Sequence, residues 1–182
     1  VVQVDRAADI IKVVTAFGSY PALRLVLASA TEAWKVAPLL KADNIPVLIN
    51  VMENLPQNFD RLGARLDQAT LLAEAGVRFA FFSGSPYSET RSLSQAAGIA
   101  VAQGLSWQQA ITAITAAPAE IWGLKGLGRI EVGAIADLVI WNGDPLEVTS
   151  APVAVLIDGA RVDLETRQDA LAKRYVELLN LK

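Results

Sequence analysis

Histidine and cysteine are both missing from this chain. Without histidine there is no imidazole to act as general base near neutral pH, and the usual ligand of catalytic zinc is gone. A serine–histidine–aspartate triad in its ordinary form is excluded with it. Without cysteine there is no disulfide framework, thiol nucleophile or thiolate metal site, and the redox compartment cannot be read. No apolar run approaches the ~18 residues that span a bilayer, so no membrane partner is expected. Basic clusters are lacking too, and a net charge of −3 with an isoelectric point near 5.0 argues against a nucleic-acid surface. The chain opens Val1-Val2-Gln3-Val4, with neither methionine nor a targeting leader, so localisation is unreadable. That opening reads as mid-strand, and a preceding segment is expected.

What is present points to a sizeable core: 53% of the residues are hydrophobic and the mean hydropathy is +0.36, in a chain long enough for one domain or one and a part. Strands are expected at Val1 to Val4, Leu23 to Leu27, Ile45 to Ile49 and Val77 to Phe82. Each is a near-continuous apolar run, as suits a parallel sheet covered on both faces. Helical spacing follows each of them: Ala7 to Phe17, a segment after Thr31 as N-cap with Trp34, Leu39 and Leu40 inward, about Leu62 to Ala75, and Leu93 to Gln103. Ser106 is placed to cap a helix over Trp107 to Ala116, and Pro118 opens a short turn to Trp122. Trp34, Trp107, Trp122 and Trp141 are read most simply as core residues. An amphipathic helix over Glu165 to Leu179, with Ala170, Leu171, Tyr175 and Leu178 inward, closes the chain.

Between these helices lies the most specific stretch, Gly128-Arg129-Ile130-Glu131-Val132-Gly133-Ala134-Ile135-Ala136-Asp137-Leu138-Val139-Ile140-Trp141, followed by Gly143-Asp144-Pro145-Leu146 and Ile157-Asp158-Gly159. Physically it is a turn on two glycines, a strand, a strong turn and a second strand from Val153 to Ile157. Asp137 is expected to hydrogen-bond turn amides. The glycine-rich run Gly123 to Gly128 has no Walker pattern and reads as a connector. Together with Pro118-Ala119-Glu120-Ile121-Trp122-Gly123-Leu124 before it, the stretch resembles the C-terminal end of amidohydrolase-superfamily proteins, closest to the imidazolonepropionase-like metal-dependent hydrolases.

The resemblance implies an α/β fold: the C-terminal half of a (β/α)8 TIM-like barrel, as four βα units, plus part of a small β-sandwich and a C-terminal helix. Expected domains are 1–122 for the half-barrel, 123–164 for part of the composite β-domain and 165–182 for the helix. Half a barrel leaves two open edges, so a missing N-terminal half, a complementary subunit or a homodimer is expected to complete it. The implied ancestral chemistry is hydrolysis of a non-peptide C–N bond by metal-activated water.

In a parallel barrel, chemistry sits at the C-terminal strand ends. There the resemblance implies two histidine ligands and an aspartate acting as ligand and base. This chain has instead Asp5, Ala28 (or Ser29, if the register slips by one) and Gly84. No cofactor is therefore expected from this chain; zinc or another divalent metal would need ligands from a missing segment. Asp5 is expected to pair with Arg6 or cap the following helix, and the carboxylates Glu53, Asp60 and Asp67 to be mainly solvated. Candidate pocket-lining residues are Asp5, Ser29, Asn50, Glu53, Asn54, Ser83 and Ser85, with a small molecule as possible ligand. A Ser–Lys arrangement would need Ser83 or Ser85 to meet Lys12, Lys35 or Lys41, all distant in sequence. Two classes remain open: part of an enzyme whose other half supplies a His-x-His pair and metal, or a metal-free pseudoenzyme that binds a small molecule or serves as a structural subunit.

Overall fold

The computed structural model describes residues 1–53, 55–83 and 92–180. Four short strands, β1 (Val2–Val4), β2 (Leu27–Ser29), β3 (Val47–Ile49) and β4 (Phe79–Phe81), form one sheet in the order β1-β2-β3-β4, with every pairing parallel. Helices alternate with them: α1 (Ala7–Gly18) after β1, a 3₁₀ turn Ala33–Val36 running into α2 (Ala37–Ala42) after β2, and α3 (Gln68–Glu74) after β3. Further along come α4 (Leu93–Ala102), α5 (Trp107–Ile114) and α6 (Ala116–Trp122). Successive parallel strands in sequence order, each followed by helix, are the βα units expected of a barrel segment.

The apolar runs are buried on both faces because side chains alternate across the sheet. Leu27, Val47, Ile49, Phe79 and Phe81 point to the helical side and join Ile10, Leu40, Leu72, Ala97 and Ala110 in the main core. Val26, Ala28, Leu48 and Ala80 form the opposite face, against Ile121 of α6. The ladder starts later than the apolar runs: Val2 N–H donates to the Val26 carbonyl, and Leu23 to Val26 lie ahead of β2.

Several boundaries differ from expectation. Thr31 caps no helix; its hydroxyl turns to Asp5. The helix expected from about Leu62 starts at Gln68, because residues 59–67 are spent on a 3₁₀ turn (Phe59–Arg61) capped by Asn58, and on turns closed by a local Arg65–Asp67 ion pair. Ser106 does cap α5, in a reciprocal box with Gln109. The tryptophans are not core residues. Trp107 and Trp122 are each more than two-fifths exposed. Trp34 is half-buried, its indole N–H bonded to the Gly63 carbonyl at 3.0 Å, with Lys35 and Arg65 over its ring.

The chain divides into two compact units, residues 1–134 with 146–148, and residues 135–145 with 149–182. In the smaller unit β5 (Leu138–Trp141), β6 (Pro152–Ile157) and β7 (Ala160–Arg161) form an antiparallel sheet in that order. Asp137 binds a turn amide as expected: its Oδ1 accepts from Asp158 N–H at 2.8 Å, at the Asp158-Gly159 turn that joins β6 to β7. The unit ends in α7 (Arg167–Asn180), where Ala170, Leu171 and Tyr175 are exposed rather than inward. The side chain of Leu178 lies outside the described residues.

Candidate functional site

The C-terminal ends of β1 to β3 converge on a polar cluster centred on Asp5, the residue immediately after β1. Its carboxylate is engaged on both oxygens. Oδ1 accepts from the Thr31 hydroxyl at 2.6 Å and, more weakly, from the Thr31 amide at 3.4 Å. Oδ2 faces Arg61 Nε at 3.4 Å. The expected pairing with Arg6 is thus replaced: Arg61, 56 residues on, reaches back across the sheet end. Arg61 Nη1 also donates to Glu53. Glu53 is accordingly ion-paired and only 30% exposed, not solvated, whereas Asp60 is exposed as expected. Burial works against the charged guanidinium. The Glu53 hydrogen bond and the charge of Asp5 outweigh it and hold the Arg61 pKa above its ordinary value.

The backbone around the cluster is strained. Ser29 and Ala30 both have positive φ, 64° and 44°, a conformation that costs a non-glycine residue on the order of 1–2 kcal/mol. It is held by Ala30 N–H on the Val4 carbonyl (2.8 Å), Glu32 N–H on the Asp5 carbonyl (2.8 Å), and buried Gln68, whose Nε2 donates to the Ala30 carbonyl at 2.8 Å. The turn also places Ser29 Oγ where it accepts from Gln3 Nε2 at 3.3 Å.

Glu32, two residues past the turn, does what Asp5 was expected to do. No side chain of the chain entering α1 caps that helix; Glu32 Oε2 accepts from the Ala7 amide at 2.9 Å, and Oε1 from Lys35 at 2.5 Å. Burial pushes its pKa up, but the Ala7 amide, Lys35 and Arg6 prevail and hold it below the usual carboxylate value.

Ser29, Thr31, Asn50, Glu53, Arg61 and Gln68 line a residual cavity of about 10 Å³. Of the expected pocket residues, Asp5, Ser29, Asn50 and Glu53 are therefore brought to one place. Asn50 turns its Oδ1 to the Met52 amide at 3.0 Å. Ser83 follows β4 but does not line this cavity. Asn54 and Ser85, and Gly84 with them, lie outside the described residues. Thr31, Arg61 and Gln68 were not foreseen as site residues. Lys12 and Lys35, considered as bases for a serine, are paired with Asp9 and Glu32.

These donors do not fit a catalytic divalent metal. Zinc in such a site takes about three protein ligands. Here one strand end presents Ala28, packed among Val26, Leu48 and Ala80 with no donor to offer. Both carboxylates are spent on a guanidinium, and among the described residues no group of three or more Asp, Glu, His or Cys converges. No helix among the described residues is long and apolar enough to cross a membrane.

The model of the amidohydrolase family matches residues 66–163, more than half of the chain. Amidohydrolase tasK of Hapsidospora irregularis is 36% identical over 90 residues, covering 49% of this chain and 9% of that protein. The crystal structure of an amidohydrolase from Thermotoga maritima MSB8 superposes with a TM-score of 0.82 at 28% identity, over 88% of this chain and 42% of that one. The fold is shared with a beta-aspartyl dipeptidase of Fervidobacterium islandicum AW-1, at a TM-score of 0.59 and 13% identity, over 90% of this chain and 49% of that one. The chain thus spans less than half the length of each of these proteins. With four parallel βα units, the Gly-x-Ile-x-x-Gly-x-x-Ala-Asp-Leu-Val tail, and a family match that takes in β4 and that tail over more than half of its length, the chain belongs to the amidohydrolase family.

Proposed function

We propose that this chain is the C-terminal portion of an amidohydrolase whose ancestral reaction is metal-assisted hydrolysis of a non-peptide C–N bond, and that the chain by itself is catalytically silent. The observation that carries this reading is the cluster of Asp5, Thr31, Arg61 and Glu53 at the strand ends. Hydrolysis there needs an activated water and a group to move its proton. The cluster supplies neither: its carboxylates are held by Arg61, and the chain has no histidine. Residues 1–122 would furnish the half-barrel, 123–164 part of a small β-domain, and 165–182 a terminal helix. Asp5, Ser29, Asn50 and Glu53, with Asn54, Ser83 and Ser85, would line one wall of a small-molecule pocket. A missing N-terminal half, a complementary subunit or a second copy would complete the barrel.

A second reading is favoured by the coverage alone, since the matched relatives are more than twice as long. In it, another segment brings its own metal and ligands, and this chain shapes the pocket of a working hydrolase. Intact mass, metal content and amide hydrolysis of the native polypeptide, measured together, separate the two. A mass near 19.4 kDa without metal or turnover supports the silent reading. A much larger mass with about one equivalent of zinc and turnover of N-acyl or cyclic amides supports the other.

A further inference from the structure

The strand-end cluster already contains a cation, and it is covalent. We propose that Arg61 is the resident cation of this site: its guanidinium takes the place between Asp5 and Glu53 that a divalent ion would need, closes the site to metal and ties the loop after β3 to the end of β1. This deepens the reading of the site given above, yet it stands even if another segment makes the whole protein a hydrolase.

Three observations carry it. The oxygens are committed: Asp5 Oδ1 to Thr31 at 2.6 Å, Asp5 Oδ2 to Arg61 Nε at 3.4 Å, and Glu53 to Arg61 Nη1. The space is filled: the cavity of about 10 Å³ beside them is close to the least that holds one water, and far from what a partly hydrated ion requires. The guanidinium sits in a sheltered place and offsets one of the two carboxylate charges, with the Arg61 and Asp5 side chains 14% and 15% exposed. A guanidinium stays protonated at any ordinary pH, so neither acid nor a chelator removes it. Take the guanidinium away, and two carboxylates are left among the hydroxyls of Ser29 and Thr31, an all-oxygen set that suits a hard cation such as Mn²⁺ or Ca²⁺.

The test is Mn²⁺ binding to the intact native polypeptide, followed by electron paramagnetic resonance and by the shift in melting temperature. Wild type and Arg61→Lys, which keeps the positive charge, are expected to show no Mn²⁺ site that Asp5→Asn abolishes. Arg61→Ala is expected to bind about one equivalent at least about tenfold more tightly than wild type, with a rise in melting temperature, and Arg61→Ala with Asp5→Asn to lose both effects. Metal that survives Asp5→Asn unchanged is held elsewhere and leaves Arg61 in its role. A wild-type site lost in Asp5→Asn overturns the proposal, as does a folded Arg61→Ala that gains no binding. Should Arg61→Ala not fold, the wild-type, Arg61→Lys and Asp5→Asn measurements decide the matter by themselves.

Discussion

Glu32 shows how much a single side chain carries in this fold. It accepts from the first amide of α1, pairs with Lys35, and packs where a Cβ on Gly63 would stand. Its folded pKa lies below the ordinary value of 4.5, so its contribution is fully present above that value and is lost as pH falls through the depressed native one. Glu32→Gln should therefore lower stability by roughly 1–2 kcal/mol at pH 7 and by less at pH 3, in urea titrations at the two pH values. The two glycines of the tail motif can be separated in the same assay. Both have positive φ, 79° at Gly128 and 87° at Gly133. At Gly128 an added Cβ would also meet the Thr115 carbonyl at 2.5 Å and Ala116 Cα at 2.8 Å, whereas at Gly133 it would meet open space. Gly133→Ala should cost about 1–2 kcal/mol for the backbone alone, and Gly128→Ala more than about 3 because immobile backbone stands in the way. At this scale the sequence was readable where a residue acts within a local pattern, as with Asp137 at its turn. It was silent where the partner is remote: nothing near Asp5 announces Arg61, and a short Asn58-capped turn is what brings the guanidinium round.

Elements were legible in proportion to how far local signals decide them. The α5 start is local, for Ser106 and Gln109 satisfy each other's backbone amides within a single turn. Ser106→Ala should cost about 1 kcal/mol in thermal or chemical unfolding, and should raise amide exchange in the first turn of α5 without disturbing β3. The four parallel strands were readable for a different reason: apolar runs with helices between them admit few arrangements other than a parallel sheet. Lengths were not, because the ladder extends only where neighbouring backbones meet, and Leu23 to Val26 remain ahead of it. The failures share a cause. Hydrophobic periodicity predicts that an apolar face will be covered, but not by what. Ala170, Leu171 and Tyr175 of α7 have the spacing of a buried stripe and stand exposed; Trp107 and Trp122 are likewise exposed by more than two-fifths. Only tertiary partners settle such positions.

On the scale of the whole molecule, the two units differ sharply in the means they have to resist opening. In the larger one, Ile10, Leu27, Leu40, Val47 and Leu72 are fully buried around the parallel sheet. In the smaller one Ala154 is the single buried residue among those described, while Val139, Ile140, Val153 and Ile157 of its sheet are about half exposed. Protection from exchange follows buried apolar contact and sheltered hydrogen bonds. Native-state hydrogen exchange on the isolated chain should thus find the slowest amides in β2, β3 and β4, with β5 to β7 exchanging at least about a hundredfold faster. The same measurement on the native polypeptide addresses what the smaller sheet is for. If a further segment or subunit completes it, the β5 to β7 amides should slow towards those of β3, since covering Val139, Ile140 and Val153 removes apolar surface from water at roughly 25 cal/mol per Å². If they stay fast, the sheet works uncovered, and the proposal of a completed β-domain fails while the assignment of the larger unit is untouched.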